Sequence, residues 1–174
     1  MPMFSIDKCA LPERALLNRY YRADTYTDCY VTNISQTVTH VEFLDAFYNT
    51  WVFKLERVIL KWVASKPSTD AEAKQLAEGT IESYAAWAVE DRCENQILLS
   101  DFLGRTKSWL MVTPKFDTGE SQTQLYFGSA VVPSHSSKTS SSTIGYAFQV
   151  LIGFHKMYSR VLLYSAKLRL LKHR

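Results

Sequence analysis

Paired cysteines, an excess of charge of one sign and long apolar runs are all missing from this chain, and each absence removes a class of reading. Cys9, Cys29 and Cys93 are an odd number at wide spacing with no Cys-x-x-Cys, so neither a disulfide framework nor a thiolate metal site is indicated. Each counts as a small apolar residue until a nearby base is found. The 20 Lys and Arg residues stand against 17 Asp and Glu, a net charge of +3, so any basic surface must come from arrangement rather than excess. On that balance a nucleic-acid partner is not expected. No apolar stretch approaches the roughly 20 residues that cross a bilayer, and no integral membrane segment is expected. Met1-Pro2-Met3-Phe4-Ser5-Ile6-Asp7 lacks the charged start and apolar stretch of a signal peptide, which makes a reducing cytoplasm the expected location.

Nucleotide-loop, zincin and nucleophile-elbow motifs are absent too: there is no GxGxxG, no P-loop, no HExxH and no GxSxG. His155 has no second histidine at metal-binding spacing, because His40, His135 and His173 are distant in sequence. Neither a metal nor a cofactor is expected.

What is present describes an ordinary globular chain. With 47% hydrophobic and 21% charged residues, whole-chain disorder is excluded. One core serves up to roughly 250 residues, so 1–174 reads as a single domain, with no internal repeat and no separating linker. Pro12 opens a short helix through Leu16, Leu17 and Tyr20, and Asp24–Asp28 reads as a turn. A first strand follows over 28–38. Thr39-His40-Val41-Glu42 is a capping-box signature, predicting a long helix to about Ala64. At about 100° per residue, Leu44, Phe47, Tyr48, Trp51, Leu55, Val58, Ile59 and Trp62 form its core face. Ala46, Phe53 and Leu60 form a second, narrow stripe that calls for cover, by residues 1–26 or by a second copy in a homodimer. Lys66-Pro67-Ser68 breaks the helix, and Thr69-Asp70-Ala71-Glu72 starts a shorter one that Gly79 ends in a left-handed conformation.

From Thr80 the hydrophobic period changes to two. Segments 81–91, 95–102, 105–112 and 124–132, separated by Gly- or Asn-containing gaps, predict a four-stranded antiparallel meander. The Ser/Thr-rich run 134–143 cannot bury apolar area and reads as a mobile loop. The last helix is predicted over 144–171.

The order strand, long helix, short helix, meander, long terminal helix defines an α+β fold, met by a curved antiparallel sheet wrapped around the C-terminal helix. This layout resembles the helix-grip architecture of the START-like superfamily, which includes polyketide cyclases and pollen-allergen-like proteins. Two stretches, Ala23-Asp24-Thr25-Tyr26-Thr27-Asp28 and Gly153-Phe154-His155-Lys156-Met157-Tyr158-Ser159-Arg160, also resemble a poorly characterised bacterial family near that superfamily. The resemblance implies an apolar ligand held between sheet and terminal helix.

Candidate site residues follow from this layout. Tyr84, Trp87, Trp109, Tyr126, Phe127, Phe154 and Tyr158 supply walls, with His155 and Arg105 as polar anchors. Tyr84 and Trp87 have opposite parity on one strand, as do Tyr126 and Phe127, so not all of them line one cavity. His155 either faces a cavity, where it could bond a ligand or carry a proton, or is a structural histidine satisfied by a neighbour, the reading that burial rules favour. Glu56 and Arg57 flank the apolar arc as solvated charges; turned inward, they would need partners among Asp91, Arg92, Asp101 and Arg105. Asp101 to Arg105 reads as a hairpin on Gly104, with spacing suited to a cross-strand ion pair. Arg105, Lys107 and Trp109 share one strand face, either an anion-attracting rim or, as favoured here, a solvent-facing surface. Lys156, Arg160, Lys167 and Arg174 lie near one azimuth of the last helix, where cations compensate the helix dipole. The leading function is binding of a small hydrophobic or amphipathic ligand. The alternatives are a cyclase- or dehydratase-like enzyme using His155, and a structural protein that dimerises without a ligand.

Overall fold

A computed structural model describes residues 6–54, 68–117, 120–132 and 142–172, with side chains described at these positions except 116–117, 120 and 142–155. Seven strands form one antiparallel sheet: β1 (Asp7–Lys8), β2 (Tyr26–Ile34), β3 (Ser83–Tyr84), β4 (Trp87–Cys93), β5 (Gln96–Asp101), β6 (Thr106–Asp117) and β7 (Glu120–Val131). Their order is β1-β2-β7-β6-β5-β4-β3, an open α+β sheet. Helices among the described residues include α1 (His40–Tyr48), α2 (Asp70–Glu78) and α3 (Ser142–Lys172), with a 3-10 turn at Leu16–Tyr20. The expected meander is present, and β2 closes onto its far end, in register from Tyr26 opposite Val131 to Ile34 opposite Thr123. Pairing with β7 draws Tyr26 and Thr27 into the ladder, so the strand occupies Tyr26–Ile34 rather than 28–38 and consumes part of the expected turn. The segment expected as one strand over 81–91 is a hairpin, with Tyr84 paired to Trp87 and Ala85 at a φ of 54°.

Both capping boxes form. Thr39 and Thr69 each accept at 3.2 Å from the amide of Glu42 and Glu72, while each glutamate accepts from its threonine's backbone N–H. Gly79 ends α2 at a φ of 77°.

The long helix expected to reach Ala64 is interrupted. α1 stops at Tyr48, and Thr50 starts a new helical turn, its hydroxyl donating to the Phe47 carbonyl and accepting from the Phe53 N–H at 3.2 Å. The interruption shifts the helical phase. Trp51, assigned to the core, is 69% exposed, whereas Ala46 and Phe53 of the narrow stripe are buried. Phe53 packs on Tyr48 at 4.9 Å and Tyr84 at 6.1 Å, so this chain's own core covers it, and neither the N-terminal segment nor a second copy is needed. Leu55, Glu56, Arg57, Val58, Ile59, Leu60 and Trp62 lie outside the described residues, as does most of the Ser/Thr-rich run.

Both faces of the sheet are covered. On one face the helices enclose Tyr30, Ile34, Phe43, Phe47, Leu99, Leu110, Leu125, Phe127, Leu162 and Leu163. On the other, the N-terminal segment lays Ala15 and Leu17 against Cys29, Leu98, Trp109, Met111 and Ala130. This N-terminal cover explains why successive residues of β5, from Gln96 to Leu99, are all buried.

Candidate functional site

Alternation on β6 separates the residues as expected, but both of its faces are interior. Trp109 is fully buried beneath the N-terminal cover; its indole N–H donates to Gln96 Oε1 at 2.8 Å. The same oxygen accepts from the Leu16 N–H at 2.9 Å, and Gln96 Nε2 donates to the Arg14 carbonyl at 3.1 Å. A β-bulge between Val89 and Asp91 lets Glu90 and Asp91 both address this side. Asp91 pairs with Arg19, while Glu90 accepts from Tyr20 Oη at 2.5 Å and from Lys107 Nζ at 2.9 Å. Burial raises Tyr20; burial also opposes the charged forms of Glu90 and Lys107, but their mutual contacts and Tyr20 outweigh it, lowering Glu90 and raising Lys107. On the face expected to meet solvent, Lys107 and Trp109 are therefore buried, with the ion pairs of Arg19, Glu90 and Asp91 at the exposed edge of the cover. Of Arg105, Lys107 and Trp109, Arg105 alone is exposed. Its backbone N–H, with that of Thr106, donates to Asp101 Oδ1 at 2.7 and 3.1 Å, so an aspartate-capped turn on Gly104, at a φ of 71°, replaces the expected cross-strand ion pair.

The expected wall residues do not form one lining. Tyr84 and Trp87, on facing strands rather than on one, share the helix-covered side at the β3–β4 edge. Tyr126 packs with Trp109 on the opposite side, at 6.2 Å between rings. Phe127 and Tyr158 belong to the helix side, with Phe127 at 4.9 Å from Phe47. The side chains of His155 and Phe154 lie outside the described residues. Of the four charges considered as partners for Glu56 and Arg57, Arg92 donates to the Leu76 carbonyl at 2.8 Å, and Asp91, Asp101 and Arg105 are placed as above.

The seam between α3 and β2 is the feature that sequence reasoning missed. Tyr26, Asp28, Tyr30, Thr32 and Ile34 alternate onto the helix side of β2. Asp28 is buried and accepts from Tyr26 Oη at 2.9 Å and Ser129 Oγ at 2.5 Å, and burial followed by this carboxylate raises the Tyr26 phenol. The basic azimuth of α3 turns toward this strand. Lys156 Nζ lies 5.7 Å from the Tyr26 ring and Arg160 lies 5.3 Å from the Tyr30 ring. Lys167 is only 9% exposed and its ammonium donates to Thr32 Oγ1 at 3.1 Å, with no carboxylate in ion-pair range among the described residues. Burial alone lowers its pKa. Ser159, fully buried on the same helix, has a hydroxyl without a described partner. Arg174 lies outside the described residues. The spacing of the cations was legible; the burial of Lys167 against β2 required the β2–β7 pairing.

Cavities border these layers among the described residues. A groove of about 180 Å³ opens between the β2–α1 connection, α1 and the end of α3, lined by Gln36, Glu42, Asp45, Arg169 and Leu170 among others. A cavity of about 340 Å³ lies on the opposite side, between the N-terminal segment and β2. Among the described residues there is no cluster of His, Cys, Asp and Glu able to hold a metal ion, and no helix long and apolar enough to cross a membrane. No protein-family model matches the chain, and no curated protein matches it in sequence.

Proposed function

We propose that this chain binds a small amphipathic molecule between the sheet and α3, the anionic group of the ligand meeting Lys167. The observation that carries this reading is the Lys167 ammonium, desolvated in the α3–β2 seam with a hydroxyl as its described hydrogen-bond partner. A buried charge without a counter-ion is costly, and an anionic group entering the seam would relieve that cost. Tyr30, two residues along β2 from Thr32, and Phe127 opposite it offer apolar surface on the same side of the sheet, and Ser159 of α3 has a buried hydroxyl without a described partner. The element order supports the same mode, because it resembles the START-like layout in which a curved sheet holds a ligand against its terminal helix.

Titration with cis-parinaric acid and its methyl ester tests the proposal. The acid is expected to bind saturably, and Lys167→Met to weaken it at least about tenfold while sparing the ester. Without ligand, Lys167→Met is expected to raise the stability of the chain, since it removes a desolvated charge. Absence of saturable binding of either probe overturns the reading. Equal binding of acid and ester, unaffected by Lys167→Met, overturns the assigned anionic contact.

A further inference from the structure

The register of β1 on β2 brings together two cysteines far apart in sequence. Asp7 pairs with Val31 and Lys8 with Tyr30, so Cys9 follows opposite Cys29, and the Cys9 N–H donates to the Cys29 carbonyl at 3.0 Å. Residues opposed in this way have Cα atoms about 5.5 Å apart and side chains on one face, within the separation a disulfide accepts. The thiols are already in contact, with 3.3 Å between the sulfurs. Cys9 is partly exposed and borders the 340 Å³ cavity, whereas Cys29 is buried behind it. Thr27, on the same side of β2, also lines that cavity, and its buried hydroxyl has no described partner.

We propose that Cys9 and Cys29 are a redox-active dithiol which a hydroperoxide, admitted through this cavity, converts into a cross-strand disulfide. Cys9 is the attacking group, because after one proton is lost the Cys29 thiol hydrogen-bonds to it, holding Cys9 below and Cys29 above the ordinary thiol range. The Cys9 thiolate attacks the terminal peroxide oxygen and breaks the O–O bond. The alkoxide leaving group takes up the proton that Cys9 shed, giving an alcohol and a Cys9 sulfenic acid. The Cys29 sulfur then attacks the sulfenic sulfur, and the departing hydroxide leaves as water with the Cys29 proton. One hydroperoxide and two thiols thus give one disulfide, one alcohol and one water. The bond would fasten the N-terminal cover to β2. This site lies on the opposite face of the sheet from the α3 seam and is independent of the ligand proposed there.

Cys93 is exposed and serves as an internal reference thiol. The full chain is treated with one equivalent of tert-butyl hydroperoxide, and peptide mass mapping follows each cysteine. Cys9 and Cys29 are expected to disappear together, roughly tenfold faster than Cys93, with a loss of about two mass units in the joined peptides. The melting temperature should rise by roughly 5–10 °C and fall back on reduction. In Cys29→Ser, dimedone should trap a sulfenic acid at Cys9, while in Cys9→Ser the remaining Cys29 should stay reduced. Oxidation of Cys93 ahead of Cys9, or a folded chain whose Cys9 and Cys29 persist while the urea-unfolded chain oxidises, overturns the proposal.

Discussion

His40 begins α1 with its imidazole buried, and burial together with the nearby Arg92 charge depresses its pKa to about 4, against a backbone hydrogen bond at Leu110 that acts the other way. Folded His40 is therefore neutral at pH values where the unfolded residue, titrating near 6.5, is already taking up a proton. Its contribution to stability is complete above about pH 6.5 and declines as the pH falls toward 4, by up to roughly 3 kcal/mol. Urea unfolding across this range should show the loss, and His40→Gln should flatten it. Gln96 is the other residue with consequences beyond its size, since one side chain serves Leu16, Arg14 and Trp109. Gln96→Leu should destabilise the chain by about 2–4 kcal/mol in urea unfolding, through the polar groups left unpaired under the cover.

At the scale of elements, legibility followed the completeness of local signals. Thr39 with Glu42 and Thr69 with Glu72 carry both halves of a capping box, and both helix starts appeared where expected. Replacing either threonine with alanine should cost about 1 kcal/mol, measured by thermal or urea unfolding. Thr50 starts a helical turn with Phe53 three residues on, where a box would have Glu or Gln, so the apolar period ran unbroken through a real interruption. That one missed break reversed the fates of Trp51 and Phe53. The hairpin at Ala85 was concealed similarly, because its positive φ is met without glycine or asparagine. The β6 face bearing Lys107 and Trp109 was grouped correctly by alternation. Whether it met water was not local information, since Ala15 and Leu17 come from the far end of the sequence.

At the scale of the molecule, the sheet is the middle layer between helices and N-terminal cover. Gly128 marks how closely the cover sits: a Cβ there would come within 3.0 Å of Leu17 Cδ2, Trp109 Cε3 and the Asp28 carbonyl. Gly128→Val should cost about 1–3 kcal/mol, and hydrogen exchange should quicken over residues 9–20 before it changes in α1 and α2. Equal acceleration on both sides of the sheet would show instead that the layers open as one cooperative unit. The α3 seam was the least legible feature for the same topological reason: Thr32 meets Lys167 only after β2 has docked beside β7.

The pairing of β2 with β7 also sets a timetable for synthesis. β2 ends at Ile34, but β7 does not begin until Glu120. A nascent chain released from the ribosome in sequence order holds its early strand, and the apolar side chains before it, without their main docking surface until most of the polypeptide has emerged. Closure over such a long contour is slow compared with forming a local meander, so the last strand acts as the clasp that admits the first.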